Sequence, residues 1–183
     1  MAIRVLIVPV GFQRLELLEN VVSGVQQSFR GLINIRFMIS VEQISLPSTL
    51  LDFSRLQFRA DLVNSYLESL FKDYIKPIER LVVGLVDGDG YVDGLNFVFG
   101  LATPSSGVAT VYLNKLVSRD SSLTIARVTK EIVHEIGHLL GLDHCTNPTC
   151  VMSFSNSIRD VDNKSQFFCD RCKAKLSSLP HLK

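Results

Sequence analysis

The run IRVLIV at residues 3–8 is apolar with one charge, as a buried strand is, and Leu15, Leu18, Val22, Val25 and Phe29 then recur at helical spacing up to Gly31. Ile33, Ile35, Phe37 and Ile39 alternate with Asn34, Arg36 and Met38, which predicts a second strand with one face more deeply buried, joined in parallel to the first. Residues 41–55, with Pro47 and several serines, form a poorly patterned connection. Phe58, Leu62, Val63, Tyr66, Leu67, Leu70 and Phe71 mark an amphipathic helix that Pro77 closes. LVVGLV at 81–86 reads as a third strand, and DGDGYVDG at 87–94 as a turn or loop. LNFVFGL at 95–101 and VATVYL at 108–113 flank the PSSG turn at 104–107, a hairpin at a sheet edge. From Ser122 to Leu140 the apolar positions Ile125, Val128, Ile132, Val133, Ile136, Leu139 and Leu140 describe one long helix that stops at Gly141. A short helix follows Asp170. Alternating strands and helices predict an α/β or α+β sandwich.

A chain of 183 residues buries one sizeable core and is too short for two ordinary domains. We therefore expect one domain over 1–183, with the sheet and helices in 1–144 and a modified C-terminal subdomain in 145–183. Nineteen basic against 18 acidic residues leave a formal charge of +1, so no footprint for nucleic acid or an anionic membrane is present. The N-terminus reads as a first strand and not as an export signal, and no apolar run approaches the roughly 18 residues of a spanning helix. A cytoplasmic protein and a monomer is the expectation. In that reducing compartment the four cysteines, all between residues 145 and 172, favour metal binding over disulfides.

The long helix carries HEIGH. His134 and His138 are four residues apart and project from one face, so both imidazoles reach one zinc ion. Glu135 lies about 100 degrees around the axis, where its carboxylate misses the metal and can act as general base on a water held there. If the helix continued, His144 would lie about 15 Å along the axis from His134, far outside a shared coordination sphere. Gly141 stands where the helix must stop, and a reversal there carries His144 back to the metal as third ligand.

Cys145 and Cys150 have four residues between them, and Cys169 and Cys172 have two. Two short-spaced pairs joined by a loop are the usual way a chain wraps tetrahedral zinc. Four thiolates leave no open position, so this second zinc is expected to be structural. A thiolate at the histidine metal would make its water less acidic, which argues against exchanging the roles of the adjacent His144 and Cys145.

With these residues in place the sequence resembles the metzincin zinc peptidases, and within them the archaemetzincins. The resemblance rests on His134, Glu135, His138, Gly141 and His144, on Cys145, Cys150, Cys169 and Cys172, on Met152 in CVM, and more weakly on GLNFVFG at 94–100. It implies a metzincin-like fold, a twisted mixed sheet with an antiparallel edge strand along which a peptide substrate lies extended. It also implies that Met152 forms a Met-turn under the catalytic zinc, that the cofactors are two zinc ions, and that the substrate is a peptide or protein. Relatives of this family are associated with aminopeptidase action.

A competing reading is a zinc-stabilised module that binds protein or nucleic acid through Arg171, Lys173 and Lys175 in CDRCKAKL. So few basic residues read better as a solvated helix face, and a purely structural site would not require Glu135. Asp87, Asp89 and Asp93 lack the full spacing of a calcium loop and read as a turn. Tyr91 and Tyr112 are candidates for stabilising an oxyanion, and His181 reads as an exposed side chain.

Overall fold

The computed structural model describes residues 2–11 and 17–178, which leaves Leu15 and His181 outside the described residues. Strands β1 (Ile3–Val10), β2 (Ile35–Ile39), β5 (Arg80–Val86), β7 (Gly100–Thr103) and β8 (Val108–Tyr112) form the main sheet. Its order is β2-β1-β5-β8-β7. All neighbours are parallel except β7, which pairs antiparallel with β8 and ends the sheet as a free edge. A smaller sheet of β3 (Leu51–Asp52), β4 (Gln57–Arg59) and β6 (Gly90–Tyr91) lies in the order β3-β4-β6. The helices are α1 (Leu18–Phe29), α2 (Ala60–Leu70), α3 (Ser121–Leu139), α4 (Ile158–Asn163) and α5 (Asp170–Ser178).

Both faces of the main sheet are covered, which is why β5 and β8 are apolar almost throughout. One core joins Val5, Ile7, Val83 and Val111 to α1 and α3, and reaches Cys150, Met152, Phe168 and Leu176 beyond α3. A second core joins Val8, Val10, Val82 and Tyr112 to Ala60, Val63 and Leu67 of α2. The C-terminal stretch thus adds apolar side chains to the core beneath α3.

The mixed sheet, the parallel first pair and the antiparallel edge hairpin agree with the sequence reading. Four local expectations change. Phe58 belongs to strand β4 and not to the helix, because its backbone pairs with Leu51 and Gly90. α2 ends at Leu70, where Phe71 leaves helical geometry, well before Pro77. Gly90 and Tyr91, placed in a turn by composition, pair with β4. The first strand of the hairpin begins at Gly100 rather than at residue 95.

The edge strand is held to α2 by a buried polar bridge. Asn64 donates its amide to the Leu101 carbonyl and to Thr103 Oγ1, each at 3.0 Å, and accepts from Thr110 Oγ1 at 2.8 Å. A buried polar atom left without its partner costs about 1–3 kcal/mol. Asn64→Leu should lower the unfolding free energy by about that amount in urea denaturation. Unchanged stability would show that the bridge does not hold the edge.

Candidate active site

Asp120 caps α3, its carboxylate accepting from the Ser122 N–H at 2.8 Å. Fourteen and eighteen residues later the helix delivers His134 and His138 on one face. Each imidazole is oriented by a backbone carbonyl on Nδ1, His134 by Val151 at 2.8 Å and His138 by Leu142 at 2.7 Å. The helix then stops as Gly141 takes φ +91, a left-handed conformation that costs other residues about 1–2 kcal/mol. The Gly141 N–H bonds to the His138 carbonyl and the Leu142 N–H to the Gly137 carbonyl, both at 2.9 Å. This pair of bonds closes a Schellman turn and sends the chain back. His144 arrives with its ring centroid 4.7 Å from that of His138 and 5.3 Å from that of His134. One ring nitrogen from each of the three histidines lies within 4.8 Å of the other two.

The chemistry of this triangle suits a cation. With both Nδ1 atoms donating to carbonyls, the Nε2 atoms of His134 and His138 carry lone pairs, and they face each other at 3.1 Å. Two lone pairs at that separation repel unless something positive lies between them. Tetrahedral zinc with Zn–N bonds of about 2.0–2.1 Å sets its nitrogens about 3.3 Å apart, close to this spacing. Burial, reinforced at His134 and His144 by the nearby Lys164 charge, pushes all three imidazoles below their usual pKa, into the neutral form that binds metal.

Glu135 is buried beside this triangle and points toward the sheet edge. A Cβ on Gly100 would overlap its carboxylate, coming within 2.7 Å of Cδ, so only glycine at the start of β7 leaves it room. Burial first, and then the Glu131 charge one turn away, push the Glu135 carboxyl well above the usual range. The Tyr112 N–H bonds to the Phe99 carbonyl at 2.8 Å. In an antiparallel ladder that makes residues 99, 101 and 103 the inward-bonding positions. The N–H and C=O groups of Gly100 and Ala102 therefore point away from β8, into a cleft of about 620 Å³. His134, Glu135, His138 and His144 form one side of that cleft, and residues 94–102 the other.

The four thiols meet at a second point. Cys145 and Cys169 lie 3.7 Å apart, Cys150 and Cys172 3.8 Å, and all four sulfurs fall within 4.8 Å. A disulfide holds its sulfurs at about 2.05 Å, whereas Zn–S bonds of about 2.3 Å place tetrahedral sulfurs about 3.8 Å apart. Burial raises the Cys150 and Cys172 thiols. At Cys169 burial acts the same way but is outweighed by the Cys172 N–H and neighbouring thiols, which bring it down to about 7. Four thiolates at this spacing would require a cation.

Between the two clusters lies Met152, fully buried against α3. It fits because Gly137 has no side chain, since a Cβ there would overlap the Met152 sulfur. The Cys145 N–H bonds to the Met152 carbonyl at 2.8 Å, and the Val151 carbonyl is the one that orients His134. One short loop thus touches both clusters.

Several contributors carried no sequence signal. Glu131 lines the cleft and forms an ion pair at 2.8 Å with Lys164, the two side chains being 3% and 1% exposed. The opposite wall is gripped from the small sheet: Arg55 donates to the Asn96 carbonyl at 2.8 Å and Gln57 at 3.0 Å. Gly137 did carry a signal, being a glycine inside a helical pattern. Neither tyrosine lines the cleft. Tyr91 donates to Asp52, and Tyr112 packs in the α2 core. Asp89 pairs with Lys115 and Asp93 with Arg59, so the acidic turn is dispersed. Among the described residues no helix is long and apolar enough to cross a membrane.

The sequence matches peptidase family M54 over residues 4–178. An archaemetzincin of Aeropyrum pernix is 43% identical over 171 residues, covering 93% of this chain and 91% of the relative. The crystal structure of an archaemetzincin from Methanopyrus kandleri superposes with a TM-score of 0.81 at 32% identity, over 96% of this chain and 93% of that one. A zinc-dependent peptidase from Methanocorpusculum labreanum gives 0.82 at 27% identity, over 94% and 99%. The histidine triangle, the free sheet edge and these likenesses agree, and the chain belongs to peptidase family M54, the family of the archaemetzincins.

Proposed function

We propose that His134, His138 and His144 hold a catalytic zinc ion, that Glu135 is the general base, and that Cys145, Cys150, Cys169 and Cys172 hold a second, structural zinc. The protein is a zinc-dependent peptidase acting on peptides or proteins. The observation that carries the detailed reading is the pair of carbonyl-oriented imidazoles whose Nε2 atoms face each other, next to a buried carboxylate and a free sheet edge.

Zinc bound there supplies a Lewis acid that acidifies a water and polarises a peptide carbonyl. The residues around it do the rest. The outward N–H and C=O groups of Gly100 and Ala102 accept an extended peptide as an added strand, which lays its scissile bond over the histidines. Glu135, wedged between Gly100 and the triangle, takes the proton of the attacking water and returns it to the leaving amine. Met152 supports the triangle from below as the Met-turn residue. Holding zinc, the four cysteines would pin residues 145–178 under α3 and fix the direction from which His144 enters. Four reduced thiols fit a cytoplasmic enzyme, which we read as a monomer.

The nucleic-acid reading gains nothing from the fold. Lys173 pairs with Asp170 on an exposed turn of α5, as a solvated helix face does.

Glu135→Gln should retain wild-type zinc and cut peptide hydrolysis by at least about 100-fold, the lower range for loss of a general base. Turnover at the wild-type rate would remove Glu135 from the mechanism. Gly100→Ala should also keep its zinc yet lose roughly 10- to 100-fold in kcat/KM, because displacing the carboxylate by about 1 Å costs that much. An unchanged rate would show that Glu135 does not need its place against the strand.

A further inference from the structure

The Glu131–Lys164 pair is not used by hydrolysis itself. Taking two charges out of water costs several kcal/mol per ion on the order-of-magnitude scale, and apolar pairs of equal size are often as stable or more so. Stability alone is therefore a weak reason for this pair. Its placement suggests another. Glu131 lies one helical turn before Glu135 on the same face of α3, and it lines the cleft, whereas Lys164 stands behind it. The lysine also reaches the Ser153 carbonyl at 3.4 Å, which anchors it to the loop beneath the histidines.

From inside the cleft the view is mostly apolar: Phe97, Ala102, Leu142 and Phe154 form much of the wall. Among the polar side chains that line it, the histidines and Glu135 included, Glu131 is the most deeply buried. A carboxylate offers about four lone-pair positions and no donor, and the Lys164 ammonium engages one oxygen at 2.8 Å. The remaining capacity accepts hydrogen bonds only. An acidic head entering here is opposed by the Glu131 carboxylate, and an aliphatic tip leaves that carboxylate without a second partner. A long aliphatic stem ending in a cation meets both the walls and the floor, and its charge-assisted hydrogen bond is about twice as strong as a neutral one. Lys164 opposes a second cation, but the carboxylate stands between the two. About 6 Å of helix rise separates Glu131 from Glu135, which selects for a long side chain.

We propose that Glu131, fixed by Lys164, is a specificity-determining residue that selects lysine or arginine in the substrate beside the scissile bond. This inference rests on the peptidase reading above. The test uses one peptide series in which a single residue, on either side of the scissile bond, is arginine, lysine, norleucine or glutamate. For the wild-type zinc enzyme, arginine and lysine should exceed norleucine by roughly 10- to 100-fold in kcat/KM, the range of a hydrogen bond to a charged group. Because Glu131→Gln alone strands a buried ammonium, the decisive variant is Glu131→Met with Lys164→Met. In it the arginine-to-norleucine ratio should fall to about one, whatever the absolute rate. A wild type without basic preference, or a double variant that keeps it, overturns the proposal and leaves the pair as a brace. If no peptide is cleaved, the peptidase reading fails instead, and calorimetric binding of the same peptides decides. Tighter binding of the arginine peptide to the wild type only supports the subsite; equal affinities overturn it.

Discussion

Three imidazole nitrogens and four sulfurs converge on two points, yet the chain connects those points through the single peptide bond between His144 and Cys145. Adjacent side chains must diverge to separate clusters, and most of the site geometry follows from this. The helix has to end within a turn of His138, which the left-handed Gly141 and its two backbone bonds accomplish. The returning strand must then be held at a fixed height, and the Cys145–Met152 backbone bond holds it. On the proposed reading, the thiolate zinc is less a separate module than the anchor of the third catalytic ligand.

The same economy recurs where α3 meets its neighbours. Two glycines mark close approaches: Gly137 admits the Met152 sulfur beneath the histidines, and Gly100 admits the Glu135 carboxylate at the sheet edge. Between them α3 is confined from below by a loop and from above by a strand. Little freedom is left to the buried Glu135 carboxylate or to the carbonyl-oriented His134 and His138, so the water and peptide that meet there encounter dipoles already oriented for the reaction.

Much of this was legible in the sequence wherever the informative residues are neighbours along the chain. The positions of His134 and His138 on one helical face, the break at Gly141 and the two cysteine pairs are local patterns, and spacing alone fixes their geometry. The alternation in 33–39 and the turn at 104–107 likewise mark strand and hairpin correctly. What spacing does not reveal is which distant segments meet. Phe58 fits a helical repeat but pairs as a strand, because the partners of its backbone, Leu51 and Gly90, come from separate stretches. The grip of Arg55 and Gln57 on Asn96 spans about 40 residues of chain, and Lys164 reaches Glu131 from the far side of α4. Such contacts are products of tertiary packing and carry no periodicity. The short helix α4 was also missed, although its Ser157–Asp160 capping box is a sequence-level start signal.

The central claim is that adjacent residues serve two different metals. Anomalous diffraction at the zinc edge from crystals of the purified protein tests it directly. The account predicts two zinc peaks, one ringed by His134, His138 and His144 and the other by the four cysteine sulfurs. A single peak, or one metal bound by both His144 and Cys145, would contradict it.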